Sequence, residues 1–227
     1  MRHLIIKLIR ILVIFQIVLF CLDVTLSAQS DSTSNMKQFL FPDFSTGVAR
    51  MKTGGNISAK MNYNMLTERM TFYQNGKMMD LAKPQDVDTI LLMDKKFAYI
   101  DGAFYEVLLN APIALFIQHK SDLVSAGRIG AYGTTSQTLP PTSVRKLYTE
   151  DNTYNMKLPE EFKVTPSPIN WVRIDNEIYK FFTERQFLKL FPAIENELKQ
   201  FINQSKISMK DPDDLIKLVE YCNELTR

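Results

Sequence analysis

Phe97-Ala98-Tyr99-Ile100-Asp101-Gly102-Ala103-Phe104-Tyr105-Glu106-Val107 is the stretch that decides the fold. Asp-Gly supplies the positive φ values of a two-residue type I′ turn, so the flanking runs read as the arms of a hairpin whose register the turn sets. Counting outward from Asp101 and Gly102 pairs Tyr99 with Phe104 and puts Phe97 beside them. Ala98, Ile100, Ala103, Tyr105 and Val107 share the opposite face. Both faces are largely apolar, which predicts a hairpin that is central in its sheet or covered on both sides.

The same pattern extends in both directions. Between Thr46 and Leu109 short alternating runs are separated by Gly54-Gly55, Asn75-Gly76 and Asp101-Gly102, the spacing of an antiparallel meander. With Asn75 and Gly76 as loop residues, Phe72 faces Met79 and Met70 faces Leu81, which predicts these four as the core face and Thr71, Tyr73, Met78 and Asp80 as the other. Pro112 to His119 is a further apolar run. Strands are expected at Arg145 to Thr149, at Tyr154 to Leu158 and in a hairpin from Trp171 to Phe182 turning at Asp175-Asn176. Between them, Lys120 to Arg145 is rich in Gly, Ser, Thr and Pro and reads as a long exposed loop.

From Thr183 the apolar period changes from two to nearly four. Thr183 and Gln186 form a capping-box pattern, and Pro192 ends that helix or starts the next. Ile194, Leu198, Phe201 and Ile202 fall on one helical stripe, and Leu215, Leu218, Val219 and Cys222 on another. Asp211 is placed to cap the last helix, with Pro212 at its first position and Asp213-Asp214 complementing its dipole. The expected fold class is therefore α+β: a mostly antiparallel β meander, a partial barrel or sandwich, followed by a C-terminal helical hairpin packed on the sheet.

The N-terminus reads as an export signal. Arg2, Lys7 and Arg10 precede the apolar run Ile11 to Leu22, and Leu26-Ser27-Ala28 offers small residues for cleavage between Ala28 and Gln29. Retention as a membrane anchor and lipidation at Cys21 are the competing readings, weakened by the closeness of Lys7 and Arg10 to the run and by the bulky Phe20. The organisation expected is a signal peptide at 1–28, a flexible polar leader at 29–38, a β-rich domain at 39–182 containing the loop 120–145, and the helical hairpin at 183–227.

Of 27 basic and 25 acidic residues in the chain of 227, the signal holds three and one, leaving 24 of each and no net charge. Interspersed charges of both signs lack the clustered basic face that nucleic acid needs, and membrane contact is expected only through an uncleaved signal. Cys222 is the only thiol remaining after cleavage, so no intrachain disulfide is expected despite export, and stability rests on packing.

Candidate chemistry is sparse. His119 is the one histidine after the signal, and Asp122 lies three residues on, but no Ser or Cys nucleophile motif accompanies them. One histidine and one cysteine cannot build a zinc site. Glu150-Asp151 and Glu160-Glu161 read as solvated loop acids, and Gly127, Gly130 and Gly133 lack the lysine and helix of a phosphate loop. No catalytic residue, metal or cofactor is therefore assigned. The methionines between Met51 and Met93 read first as core filling and second as lining for an adaptable groove. Phe97, Tyr99, Phe104 and Tyr105 read as cross-strand packing before a stacking platform.

Asn62-Tyr63-Asn64 with Leu66-Thr67, Ala131-Tyr132-Gly133-Thr134-Thr135-Ser136-Gln137, and the tail from Phe187-Leu188-Lys189-Leu190-Phe191-Pro192 to Leu218-Val219-Glu220-Tyr221-Cys222 resemble a group of uncharacterised secreted or envelope proteins of Gram-negative bacteria. The resemblance implies export and a β-rich body with a C-terminal helical hairpin, and carries no activity.

The functional expectation is an exported, non-enzymatic protein of the periplasm or cell envelope that binds a protein partner or a cell-surface component. Arg128, Tyr132, Gly133, Thr134, Thr135 and Ser136 in the long loop are its candidate contacts. A periplasmic carrier holding an apolar small molecule between sheet and helices is the first alternative, and a hydrolase with a dispersed acidic site the second.

Overall fold

Asn75-Gly76 and Asp101-Gly102 turn as their sequence requires. Their φ angles are 52° and 76°, then 46° and 95°, and Phe72 stands opposite Met79 and Tyr99 opposite Phe104. The computed structural model describes residues 37–125, 128–129, 135–136 and 162–226, all within the compact unit Asn35–Arg227. The signal with Ala28 and Gln29, the three glycines of the loop, the acid pairs at 150–151 and 160–161, and the strands expected at 145–149 and 154–158 lie outside the described residues.

In chain order the strands are β1 (Ser45–Met51), β2 (Asn56–Asn64), β3 (Arg69–Gln74), β4 (Lys77–Asp80), β5 (Val87–Leu92), β6 (Lys95–Ile100) and β7 (Ala103–Leu109). They continue with β8 (Ala114–Gln118), β9 (Ser121–Ser125), β10 (Arg128–Ile129), β11 (Thr135–Ser136), β12 (Phe162–Pro166), β13 (Ile169–Ile174) and β14 (Glu177–Phe181). Helices α1 (Glu184–Leu188), α2 (Glu195–Ser205) and α3 (Pro212–Leu225) follow. The fold is α+β, with a ten-stranded antiparallel sheet in the order β14-β13-β8-β7-β6-β5-β1-β2-β3-β4 that does not close into a barrel. As the apolar faces of the Asp101-Gly102 hairpin demand, β6 and β7 are central.

One uninterrupted meander does not form. After β4 a 3₁₀ turn at Pro84–Asp86 carries the chain back to β1, where the Lys52 N–H donates to the Asp86 carbonyl at 2.9 Å. β5 then pairs with β1, joining the meanders β1–β4 and β5–β8 side by side. Gly47 makes that junction possible: a Cβ there would lie 2.7 Å from Met61 Sδ and 2.9 Å from the Leu91 carbonyl oxygen.

The loop expected at 120–145 begins instead as a strand. β9 pairs with β12 as a separate ribbon, burying Ser121 and Leu123 while Asp122 and Val124 face out. Its partner is some forty residues away, so no local turn announces it. Of the candidate contacts, Arg128 lies in β10, which pairs with β11 containing Thr135 and Ser136. Tyr132, Gly133 and Thr134 lie outside the described residues.

The C-terminal helices start where the sequence places them. Thr183 Oγ1 accepts from Gln186 N–H and Asp211 Oδ1 from Asp213 N–H. α2 stops without glycine: Lys206 takes the left-handed conformation and Ile207 N–H reaches the Ile202 carbonyl. Phe187, Leu198, Leu218, Val219 and Cys222 pack against Leu115, Val172 and Phe181 of the sheet. Asn223 locks α3 to the turn before β8, accepting from Ile113 N–H and donating to the Ile113 and Val219 carbonyls, each at 2.9 Å.

The other end of the same sheet face has no helix on it. There Met61, Tyr63, Met70, Ile90 and Phe97 form a second core. The core face expected for β3–β4 holds at Met70, which is buried, and at Phe72 and Leu81, which pack against the same core, but Met79 is 43% exposed, while Thr71 and Met78 on the opposite face are buried. β4 is the last strand of the sheet, so its inward side chains run past their neighbours, and Phe44 covers the other face at Tyr73.

Candidate functional site

The sheet curls until the β2–β3 turn meets β7. Asn64 Oδ1 accepts from Leu66 and Thr67 N–H, an Asx-type turn that leaves Glu68 at φ 60°. The Glu68 carbonyl then accepts from Phe104 N–H, Tyr63 Oη donates to the Phe104 carbonyl at 3.2 Å, and Ser121 N–H reaches the Met65 carbonyl at 3.0 Å. The Glu68 carboxylate takes Gln118 Nε2 and, at 3.0 Å, Lys120 Nζ. Asn62, also buried, binds the Phe41 and Asp43 carbonyls and the Phe41 N–H. The Asn62-Tyr63-Asn64 and Leu66-Thr67 residues thus pin the curl.

Inside the curl lies one charged cluster. Glu106, 5% exposed, receives His119 Nε2 at 2.5 Å on one carboxylate oxygen and Lys95 Nζ at 2.7 Å on the other. Burial pushes the Glu106 carboxyl up, but the hydrogen bonds and charges of His119 and Lys95 outweigh it and hold the group below the usual carboxylate range. With Glu106 ionised, the ring nitrogen facing it carries the hydrogen. Tyr63 and Phe97 stack at 5.5 Å, with the imidazole centroid 6.1 Å and 6.4 Å from theirs. Burial raises the Tyr63 phenol, so it stays protonated, and burial pushes the Cys222 thiol up to about 12, which keeps it from being a nucleophile at neutral pH. This arrangement neutralises a buried acid; among the described residues it presents neither a hydroxyl nor a thiol for the imidazole to activate.

The carboxylate on His119 is therefore Glu106 rather than the nearby Asp122. Glu106 and Lys95 were missed by motif reading, although the Asp101-Gly102 register, continued outward, sets Glu106 opposite Phe97 on an apolar face. A lone acid on such a face signals a hidden cation. Among the described residues, no group of three His, Cys, Asp or Glu side chains is placed to hold a metal ion.

An open cleft of about 530 Å³ lies at the seam left by the curl. β4 and the residues after it, Met78 to Ala82, form one wall. Tyr99, Gly102 and Phe104 of the β6–β7 hairpin face them, and Met70 with Glu68, Arg69 and Pro84 completes the lining. Its charges are already engaged: Asp80 accepts from Arg69 Nη1 at 3.3 Å and from Thr71 Oγ1 at 3.0 Å. The size is that of a ligand site. The carrier reading placed its ligand between sheet and helices, but that space is filled by Phe187, Leu198, Leu218 and Val219; the cleft is at the opposite end. Most of the methionines fill the core, as Met61, Met65, Met70 and Met78 do, while Met79 is exposed in the cleft lining. The four aromatics form no single platform: Tyr99 packs on Phe104, Phe97 on Tyr63, and Tyr105 on Trp171 from the other face.

No family model, no curated protein and no solved structure matches this chain.

Proposed function

We propose that the chain is an exported, non-enzymatic protein of the periplasm or cell envelope that binds a protein partner or cell-surface component, and that the cleft at the seam seats the bound group. The observation that carries this reading is the cleft itself: a recess of ligand size with mixed polar and apolar walls whose charged groups are internally paired, while the buried acid–histidine cluster elsewhere in the curl meets no nucleophile among the described residues. Residues 127–142, with Arg128, Tyr132, Gly133, Thr134, Thr135 and Ser136, are proposed as a second contact, removable by deletion. Membership of the secreted or envelope group rests on the quoted sequence likeness and on the N-terminal signal pattern.

A photoreactive residue placed at Met79 tests the reading in living cells, with the same group at Lys199 on α2 as control. A discrete covalent adduct from position 79 and none from 199 is expected; no adduct from 79 overturns it. The mature N-terminus, expected at Gln29, tests the export reading, which intact Met1 on cytosolic protein would end. The carrier alternative draws on the exposed thioether of Met79, which adapts to varied apolar shapes. Native mass spectrometry of protein from its own cells separates the two, since a loaded carrier carries extra small-molecule mass.

A further inference from the structure

We infer that the occupant of the cleft is an extended peptide segment of a partner, added as a strand along the outer edge of β4, which no described strand covers; the inference rests on the binding reading above. Its first support is the parity of the lining. Successive strand residues point to opposite faces, so a recess above one face touches every second residue. Within β4 this cleft touches Met78, Met79 and Asp80 in unbroken succession, and it continues onto Leu81 and Ala82 beyond the strand, which places it along the strand's edge.

The second support is the register. Gln74 and Lys77 flank the two-residue turn, and Leu81 N–H donates to the Met70 carbonyl at 3.1 Å. In an antiparallel ladder bonded and non-bonded pairs alternate, so Lys77, Met79 and Leu81 turn their backbone groups toward β3. Met78 and Asp80 turn theirs away, to the side on which β4 has no neighbour among the described strands. Their N–H and C=O groups point along the edge at the regular spacing that another backbone matches. An extended peptide meets both residues with one strand's hydrogen bonds; a compact apolar molecule meets neither.

The walls specify the side chains. Met70, Tyr99 and Phe104 favour apolar groups on the inward-facing alternate positions. Asp80 is committed to Arg69 and Thr71, and Glu68 to Gln118 and Lys120, so a charged residue at those positions finds no free partner. Lys77, which would discourage strand addition, lies at the turn outside the lining. The partner segment is thus about four to six residues long, matched to the four residues of β4, with uncharged apolar side chains at every second position.

The test titrates a panel of end-blocked hexapeptides, alternating valine, leucine or phenylalanine with threonine or serine, into the isotope-labelled protein. At least one peptide is expected to shift the Met78 and Asp80 amide resonances and slow their hydrogen exchange about tenfold or more. That peptide is then N-methylated at alternate positions. One parity should weaken binding at least about tenfold for each edge hydrogen bond removed, while the other leaves affinity within about threefold. If no peptide perturbs those amides, or if the two parities behave alike, strand addition is wrong. The adduct at position 79 reports separately on whether the cleft binds a partner at all, so either reading can fall alone.

Discussion

One face of one sheet is covered in two different ways. At the β8–β13–β14 end, helices lay Phe187, Leu198, Leu218 and Val219 onto Leu115, Val172 and Phe181, and aromatic rings pack edge to face, Phe181 on Phe187 at 5.0 Å. At the other end the sheet bends over its own core, and what holds it there is a set of backbone and polar links centred on Glu68, Tyr63 and Phe104. Helical cover fills the space above the sheet with packed side chains. A curl that stops short of closure leaves a seam, and the cleft occupies it. The division places stability mainly at the first end and the proposed ligand capture at the second.

Phe187→Ala is expected to have the largest effect, about 3–5 kcal/mol, because it removes a fully buried ring that touches both Phe181 and Phe191 and leaves a cavity between rigid elements. Chemical denaturation checks it, and a loss under about 1 kcal/mol would break the claim that the helical end anchors the fold. Gly47→Ala probes the curled end. Its new Cβ meets a carbonyl oxygen that cannot rotate away, so about 2 kcal/mol is expected from overpacking, read as a lowered denaturation midpoint with unchanged slope. A neutral Gly47→Ala would show that the β1–β2–β5 junction tolerates a looser bend.

Legibility in the sequence followed the range of the interactions. Asn75-Gly76, Asp101-Gly102 and Asp175-Asn176 encode their turns within two residues, and counting from them yields the observed pairs Phe72–Met79 and Tyr99–Phe104. Thr183 and Asp211 cap helices through atoms two or three positions away, and were equally readable. The pairing of β9 with β12, of β1 with β5, and of Glu68 with Gln118 and Lys120 spans many residues with no local mark. The β7–β8 connection is irregular, with a register shift between Val107 and Leu109, so counting fails before it can bring His119 to Glu106. The cleft was illegible for the same reason: it exists only because two distant hairpins meet.

Glu106→Gln addresses the polarity inside the curl. Replacing the carboxylate weakens its bonds to His119 and Lys95, and about 1.5 kcal/mol is expected at neutral pH from the loss of two charge-assisted hydrogen bonds, part of which the amide retains. Because the folded protein holds the Glu106 carboxyl low, its contribution is complete above the ordinary carboxylate value of about 4.3 and is lost as pH falls below it through the folded value. Denaturation midpoints measured from pH 7 to pH 3 should therefore converge for wild type and Glu106→Gln at the acid end. A gap that stays constant with pH would show that Glu106 acts through packing alone.

Met79→Ser carries the smallest expected stability effect and the sharpest contrast. The side chain points into the cleft with much of its surface in water, and its backbone bonds to β3 are kept by serine, so the midpoint should move by no more than about 0.5 kcal/mol. Its neighbour Met78 is buried on the other face, which makes the pair a test of what the edge strand is built for. A residue retained for packing costs stability when trimmed; an exposed methionine on a wall of the seam should instead cost binding, read as weakened peptide titration with unchanged denaturation. If Met79→Ser unfolds the protein more easily and binds no worse, the curled end is a stability element like the helical one, and the contrast between the two ends of the sheet disappears.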